Sequence, residues 1–190
     1  MDDLPPTRTT IGCKCVFTVK ENPDGSVNKY KARLVAKAFH QQLGFDYKET
    51  FSPVIKHVTV RLILSLAISH NWPLQQLDVN NAFLKGILED EVYMTQPPGF
   101  VSSNKTQVCR IHKAIYGLTQ APRAWFDKLK ATLRSFKFSS SKHDPSLFVF
   151  SENQFVVYIL VYVGDITITG KNTTLIHSLV SKLNSVFSLK

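Results

Sequence analysis

The stretch Phe155-Val156-Val157-Tyr158-Ile159-Leu160-Val161-Tyr162-Val163-Gly164-Asp165-Ile166-Thr167-Ile168-Thr169 contains two runs of β-branched and aromatic residues, Phe155 to Tyr162 and Ile166 to Thr169. Such runs read as strands, and the Gly164-Asp165 pair between them suits a tight reversal. The expectation is an antiparallel hairpin with a carboxylate at its turn. Directly after it, Thr173 to Phe187 sets Ile176, Leu179, Val180, Leu183 and Phe187 at helical spacing, which predicts an amphipathic helix with those residues facing inward. A hairpin followed by a helix with an apolar stripe to bury indicates an α+β lobe whose antiparallel sheet is covered by helices.

The same pattern continues upstream. Gln120 to Phe136 reads as a helix with Pro122 in its first turn, where a missing N–H costs little, and with Trp125, Leu129, Leu133 and Phe136 as its stripe. Trp72 to Val79 has strand character and carries Asp78 near its end, and Asn80 to Leu84 is expected to begin a short helix. Thr59 is expected to cap a helix from Val60 to His70, with Leu62, Ile63, Leu66 and Ala67 at helical spacing. Gly12 to Val19 and Val27 to Phe39 form a long hairpin around the turn residues Asn22 to Ser26. On it, Lys31, Arg33 and Lys37 alternate with Leu34 and Ala36, so one face can pack while the other presents cations. Pro97 to Asn104 is a loop, and no internal repeat or low-complexity segment interrupts the chain.

The chain has 190 residues, 44% of them hydrophobic and 19% charged, enough for one good core and a second lobe. Its formal charge of +9 favours a polyanionic partner, nucleic acid before an anionic membrane face. Nine Lys or Arg stand against Asp127 alone between Lys105 and Lys142, a local net of +8. The acidic, proline-broken start Met1-Asp2-Asp3-Leu4-Pro5-Pro6 is unlike a secretory signal. The longest apolar run, Phe155 to Val163, is far short of the ~20 residues a spanning helix needs. An intracellular, cytoplasmic protein without membrane contact is the expectation. Three cysteines argue for reduced thiols over a disulfide framework. Cys13, Cys15, Cys109 and His112 contain zinc-ligand residue types, but a C-x-C pair lacks the usual spacing, and buried thiols are the better reading.

Two acidic strand ends, Asp78 and Asp165, could carry chemistry. Carboxylates so placed suit Mg²⁺, which takes one or two of them and completes its shell with water and substrate phosphates. Without further context each is more often a turn former or a solvated charge.

Six ordered blocks change those odds. They are Lys29-Tyr30-Lys31-Ala32-Arg33-Leu34-Val35-Ala36-Lys37, Glu49-Thr50-Phe51-Ser52-Pro53-Val54, Leu77-Asp78-Val79-Asn80-Asn81-Ala82-Phe83-Leu84, Val92-Tyr93-Met94-Thr95-Gln96-Pro97-Pro98-Gly99-Phe100, Tyr116-Gly117-Leu118-Thr119-Gln120-Ala121-Pro122-Arg123-Ala124-Trp125 and Asp144-Pro145-Ser146-Leu147-Phe148. Together they closely resemble the reverse transcriptases of copia-type retrotransposon Pol polyproteins, from about Ile11 to the C-terminus.

The resemblance implies a right-hand polymerase. Residues 1–10 would be a tail, fingers would lie at about 11–70 and palm elements at about 71–190, with the thumb missing. It implies an RNA-directed DNA polymerase in which Asp78, Asp165 and the backbone carbonyl of Val79 would hold two Mg²⁺ ions. Lys31 and Arg33 would contact the incoming triphosphate. Phe83 would exclude a 2′-hydroxyl, and Gln120 would lie near the nascent base pair. The implied partners are an RNA or DNA template-primer, deoxynucleotides and intact proteins of the same element, within a cytoplasmic virus-like particle. The sequence departs from the family at its hairpin: Gly164 stands where the family carries the first Asp of Tyr-Val-Asp-Asp. Cys15 replaces a Trp and Ala38 a Gly. Loss of a direct metal ligand implies impaired catalysis, and the alternative is a non-catalytic remnant that binds nucleic acid through its basic surface.

Overall fold

The computed structural model describes residues 1–152 and 154–190. It is an α+β chain of ten strands and three α-helices among the described residues, divided into two compact units. Unit 1 comprises residues 1–50 and 87–124, and unit 2 comprises 51–86 and 125–190.

Unit 1 holds two small sheets. Strands β2 (Cys13–Glu21) and β3 (Val27–Ala36) form the expected antiparallel hairpin. Its turn is tied by side chains: Asp24 accepts from the Ser26 backbone N–H at 2.9 Å, and Asn22 donates to Ser26 Oγ at 2.9 Å. Directly opposed residues share a face. Cys13/Ala36, Cys15/Leu34, Phe17/Ala32 and Val19/Tyr30 therefore make one apolar face, while Lys14/Val35, Val16/Arg33, Thr18/Lys31 and Lys20/Lys29 make the other. The two-faced ribbon is as expected, with one difference. Only the base of its apolar face is packed: Cys13 and Ala36 are buried, while Phe17 and Tyr30 near the tip are 78% and 79% exposed.

The second sheet, in the order β1-β5-β6, joins β1 (Thr10–Ile11), β5 (Ile87–Met94) and β6 (Cys109–Lys113). Strands β1 and β5 run parallel and bury Ile11, Val92, Tyr93 and Met94. None of these three strands was expected from sequence, because β5 reads Ile87-Leu88-Glu89-Asp90-Glu91-Val92, whose acidic middle hides the strand pattern. That middle coincides with a register shift between Ile87 and Val92.

Unit 2 is a five-stranded antiparallel sheet in the order β4-β10-β9-β8-β7. Its strands are β4 (Leu74–Asp78), β7 (Ser139–Ser140), β8 (Leu147–Glu152), β9 (Phe155–Tyr162) and β10 (Asp165–Gly170). Helix α2 (Ala121–Ser135) carries the expected stripe, with Trp125, Leu129 and Leu133 buried; Pro122 is its second residue. Helix α3 spans Thr173–Phe187 as expected, and Asn172 caps it by accepting from the Leu175 N–H at 2.9 Å. Ile176, Leu179, Leu183 and Phe187 meet Trp125, Phe126, Ile159, Ile166 and Ile168 in the main core.

Helix α1 corrects the sequence reading. It spans His57–Ser69, so Thr59 lies inside its first turn, and its N-cap is Lys56 without a side-chain cap bond. The start is instead held by Asp144, which accepts from the Lys56 backbone N–H at 3.0 Å. Ile63 and Ala67 are buried against the sheet, whereas Leu62, expected inside, is 56% exposed. Among the described residues no helix is long and apolar enough to cross a membrane.

Candidate active site

The carboxylates come together through strand register. In the β4–β10 pairing Asp78 is directly opposite Asp165. Opposed residues in an antiparallel pair lie on the same side with their Cβ atoms about 5 Å apart, so two exposed carboxylates face one region of solvent. Among the described residues neither side chain has a hydrogen-bond or ion-pair partner. Like charges so placed repel, which makes the pair a natural attractor of a cation.

The frame around Asp78 is rigid. Its strand end is held on one side by β10 and on the other by the segment Ser188–Lys190: Asp78 N–H donates to Lys190 O at 3.1 Å, and Lys190 N–H to Asp78 O at 2.9 Å. Val79 N–H donates to Gly164 O at 2.9 Å, and Val79 bridges Leu189. The sequence contained no signal for this sixth stretch of backbone.

The turn between β9 and β10 differs from expectation. The residue with positive φ is Val163, at +53°, while Gly164 takes an ordinary conformation open to any residue. A β-branched residue at positive φ is strained. It is held by Trp125, whose Nε1–H donates to Val163 O at 2.6 Å. Trp125 was expected only as core; its second role was not legible. A Cβ built on Gly164 would stand 3.6 Å from Ala82 Cβ, 3.9 Å from Asp78 Oδ1 and 4.0 Å from Val79 O. These are ordinary contact distances. A Cβ at 164 would thus be accommodated near Asp78 and the Val79 carbonyl without a clash.

As a donor set for Mg²⁺, Asp78, Asp165 and the Val79 carbonyl are short of a two-ion centre. Among the described residues no three His, Cys, Asp or Glu side chains gather into a metal-binding group. Two carboxylates and a carbonyl suit at most one hydrated hard cation. Cys13, Cys15, Cys109 and His112 are likewise not gathered into such a group among the described residues. Cys13 instead donates weakly to Thr95 O at 3.6 Å, and burial pushes its thiol pKa up, with that hydrogen bond partly offsetting the rise. A raised thiol stays protonated at neutral pH and reacts slowly. Iodoacetamide at pH 8 is therefore expected to alkylate Cys15 and Cys109 first and Cys13 at least tenfold more slowly; equal rates by mass spectrometry would contradict its burial.

The other expected site residues divide between the units. Phe83, in unit 2, sits on the 3-10 turn Ala82–Lys85, which follows Asn81 at φ +51°, and is half-buried against the main core. Lys31, Arg33 and Gln120 belong to unit 1. Lys31 and Arg33 share the cationic face of β3, and the Arg33 guanidinium lies over the Tyr116 ring at 5.5 Å. Gln120 is buried, and its amide is committed: Oε1 accepts from Gln41 Nε2 at 3.0 Å, and Nε2 donates to Asp46 O at 2.8 Å. Gln41 was not singled out from sequence, and its own Oε1 accepts from the Thr119 N–H at 2.9 Å.

A family model described as "Reverse transcriptase (RNA-dependent DNA polymerase)" matches residues 1–190. The chain is 54% identical over 187 residues to a retrovirus-related Pol polyprotein from transposon RE2 of Arabidopsis thaliana, covering 98% of this chain and 13% of that protein. It is 44% identical over 191 residues to the Pol polyprotein from transposon TNT 1-94 of Nicotiana tabacum, covering 99% and 14%. A Ty1-DR4 Gag-Pol polyprotein of Saccharomyces cerevisiae is 27% identical over 175 residues, covering 92% and 10%. The chain thus spans about one seventh of the length of its plant relatives, and it belongs to the reverse transcriptase (RNA-dependent DNA polymerase) family as a segment of the copia type.

Proposed function

We propose that this segment is the fingers and palm portion of an RNA-directed DNA polymerase from a copia-type Pol polyprotein, catalytically impaired by Gly164. The observation that carries the reading is the place of position 164, where a Cβ would stand 3.9 Å from Asp78 Oδ1 and 4.0 Å from Val79 O. A carboxylate there would complete a three-acid cluster; glycine supplies none. In this reading fingers lie at about 11–70 and palm elements at about 71–190.

In polymerisation a primer 3′-hydroxyl attacks the α-phosphorus of a deoxynucleotide and pyrophosphate leaves. Divalent metal, when bound, would stabilise the charge that develops on those oxygens. The chain's own residues supply the rest. By the family resemblance, Lys31 and Arg33 would contact the triphosphate, Phe83 would exclude a 2′-hydroxyl and Gln120 would lie near the nascent base pair. Because the present donor set does not fit two ions, the chemical step is expected near background.

Nucleic-acid binding survives that loss. Of the nine cations between Lys105 and Lys142, Arg110, Arg123 and Lys137 are paired with Glu91, Glu49 and Glu152 at 2.9, 2.8 and 3.2 Å. If about six phosphates are neutralised by the remainder, affinity for an RNA–DNA duplex should fall ~10³-fold between 50 and 200 mM salt. Gel retention at graded salt measures this, and a flat profile would remove the electrostatic footprint. Primer extension on an RNA template with Mg²⁺ separates the readings: weak but measurable extension supports an impaired polymerase, retention without any extension supports the non-catalytic remnant, and extension by the unaltered chain at normal rates refutes the role given to Gly164.

A further inference from the structure

We infer that Tyr116 is a positioning residue for Arg33, its ring setting the guanidinium in the pose that receives the triphosphate of the incoming nucleotide. The inference rests on the reading above that Arg33 meets that triphosphate, and it adds a residue and a physical cause.

The placement of Tyr116 is a backbone matter. Val35 and Tyr116 form a parallel bridge, and Tyr116 O accepts from the Ala36 N–H at 2.8 Å. So close an approach needs Gly117 next in the chain. Its φ is +88°, and a Cβ there would strike Ala36 O and come within 2.7 Å of Val35 Cγ1. The edge of β3 is therefore clamped, and Tyr116 is brought beside Arg33 two residues before that contact.

Arg33 in turn is constrained on one side only. Its guanidinium carbon lies 5.5 Å from the Tyr116 ring centroid, within cation–π range. Its Nε is sealed from water and has no hydrogen-bond partner among the described residues. A guanidinium has donors in a fixed fork, so with Nε buried and the guanidinium carbon over the ring the two terminal nitrogens can meet an anion bidentately. A free arginine side chain carries much rotamer entropy, and a stacked one has already lost part of it before the ligand arrives. Leucine or methionine at 116 would fill space without offering a π face.

The test needs no catalysis and no metal. Inorganic tripolyphosphate is titrated by calorimetry into the whole chain at constant ionic strength, alongside Arg33→Ala, Tyr116→Met, Tyr116→Phe and the Arg33→Ala/Tyr116→Met pair. Arg33→Ala is expected to weaken binding about tenfold and Tyr116→Met about fivefold. Tyr116→Phe should bind like the unaltered chain, and the double variant no worse than Arg33→Ala alone. In parallel, the Arg33 side-chain Nε–Hε resonance should be shifted upfield by the ring and exchange slowly, a signature kept in Tyr116→Phe and lost in Tyr116→Met. If Tyr116→Met does not fold, that resonance in the unaltered chain and in Tyr116→Phe carries the test. Full-strength binding by Tyr116→Met while Arg33→Ala is weakened overturns the positioning role and leaves the triphosphate reading standing. Unweakened binding by Arg33→Ala overturns the triphosphate reading and the positioning role with it, and the resonance then reports only whether the ring contact exists. A random-coil Hε signal in the unaltered chain overturns the contact itself.

Discussion

Gly164→Asp is expected to restore tight Mg²⁺ binding, and in a full-length Pol polyprotein to raise primer extension about a thousandfold. The position is receptive. Gly164 has no positive φ, and a Cβ there makes only ordinary contacts, with Asp78 Oδ1 3.9 Å away. A new carboxylate would join Asp78 and Asp165, converting two acids and a carbonyl into a set able to hold hard cations. If metal stabilisation of the transferring phosphoryl group is worth several kcal/mol, recovering about 4 kcal/mol corresponds to a factor of roughly 10³ at 1.36 kcal/mol per decade. There is a cost without metal. A third negative charge beside two unpaired ones raises repulsion, so the metal-free variant should melt slightly below the unaltered chain, and Mg²⁺ should reverse the order because it binds only the folded site. Thermal melts with and without Mg²⁺, with calorimetric titration, check both signs. Equal Mg²⁺ stabilisation of both proteins would show that Asp78 and Asp165 suffice and that Gly164 is no handicap.

Trp125→Ala is expected to be among the most destabilising single changes in the chain, by about 3–5 kcal/mol. Trp125 is 1% exposed, packs edge-on against Phe187 at 5.1 Å and ties the β9–β10 turn through Val163 O. Its removal leaves a cavity between α2 and α3 and an unsatisfied carbonyl at a strained residue. In a chain of this size each kcal/mol lowers Tm by about 2–4 °C, so a loss of about 6–20 °C is expected. Trp125→Phe separates the two contributions. It keeps much of the packing and loses the hydrogen bond, and should cost about 1–3 kcal/mol. Urea denaturation reads both. A Trp125→Phe protein as stable as the unaltered chain would mean that the Val163 carbonyl finds water and that the indole N–H does not hold the turn.

Strong local patterns were legible from sequence. The β9–β10 hairpin, α2 and α3 were expected nearly to the residue, because each has one clear period, and Pro122 marks the start of α2. The six motif blocks were equally legible, and they carried the family, which the comparisons then showed. Where local and tertiary preferences diverged, the reading failed. Thr59 has the chemistry of a cap, but Asp144, 88 residues away, holds the start of α1 at Lys56. The Gly164-Asp165 pair suggested that glycine makes the turn, yet the strained residue is Val163, kept there by a tryptophan from another element.

The sequence by itself determined the class of fold and the family, because these depend on residue identity, period and order. Only the tertiary structure decided that Asp165 pairs with Asp78, that a Cβ at 164 would stand 3.9 Å from Asp78 Oδ1 and 4.0 Å from Val79 O, and that Arg33 rests on Tyr116. The physical reason is common to all three. Strand register and close backbone approach are set by contacts between segments tens of residues apart, and a chain carries no local signal of which partner will lie across from it until its elements have packed.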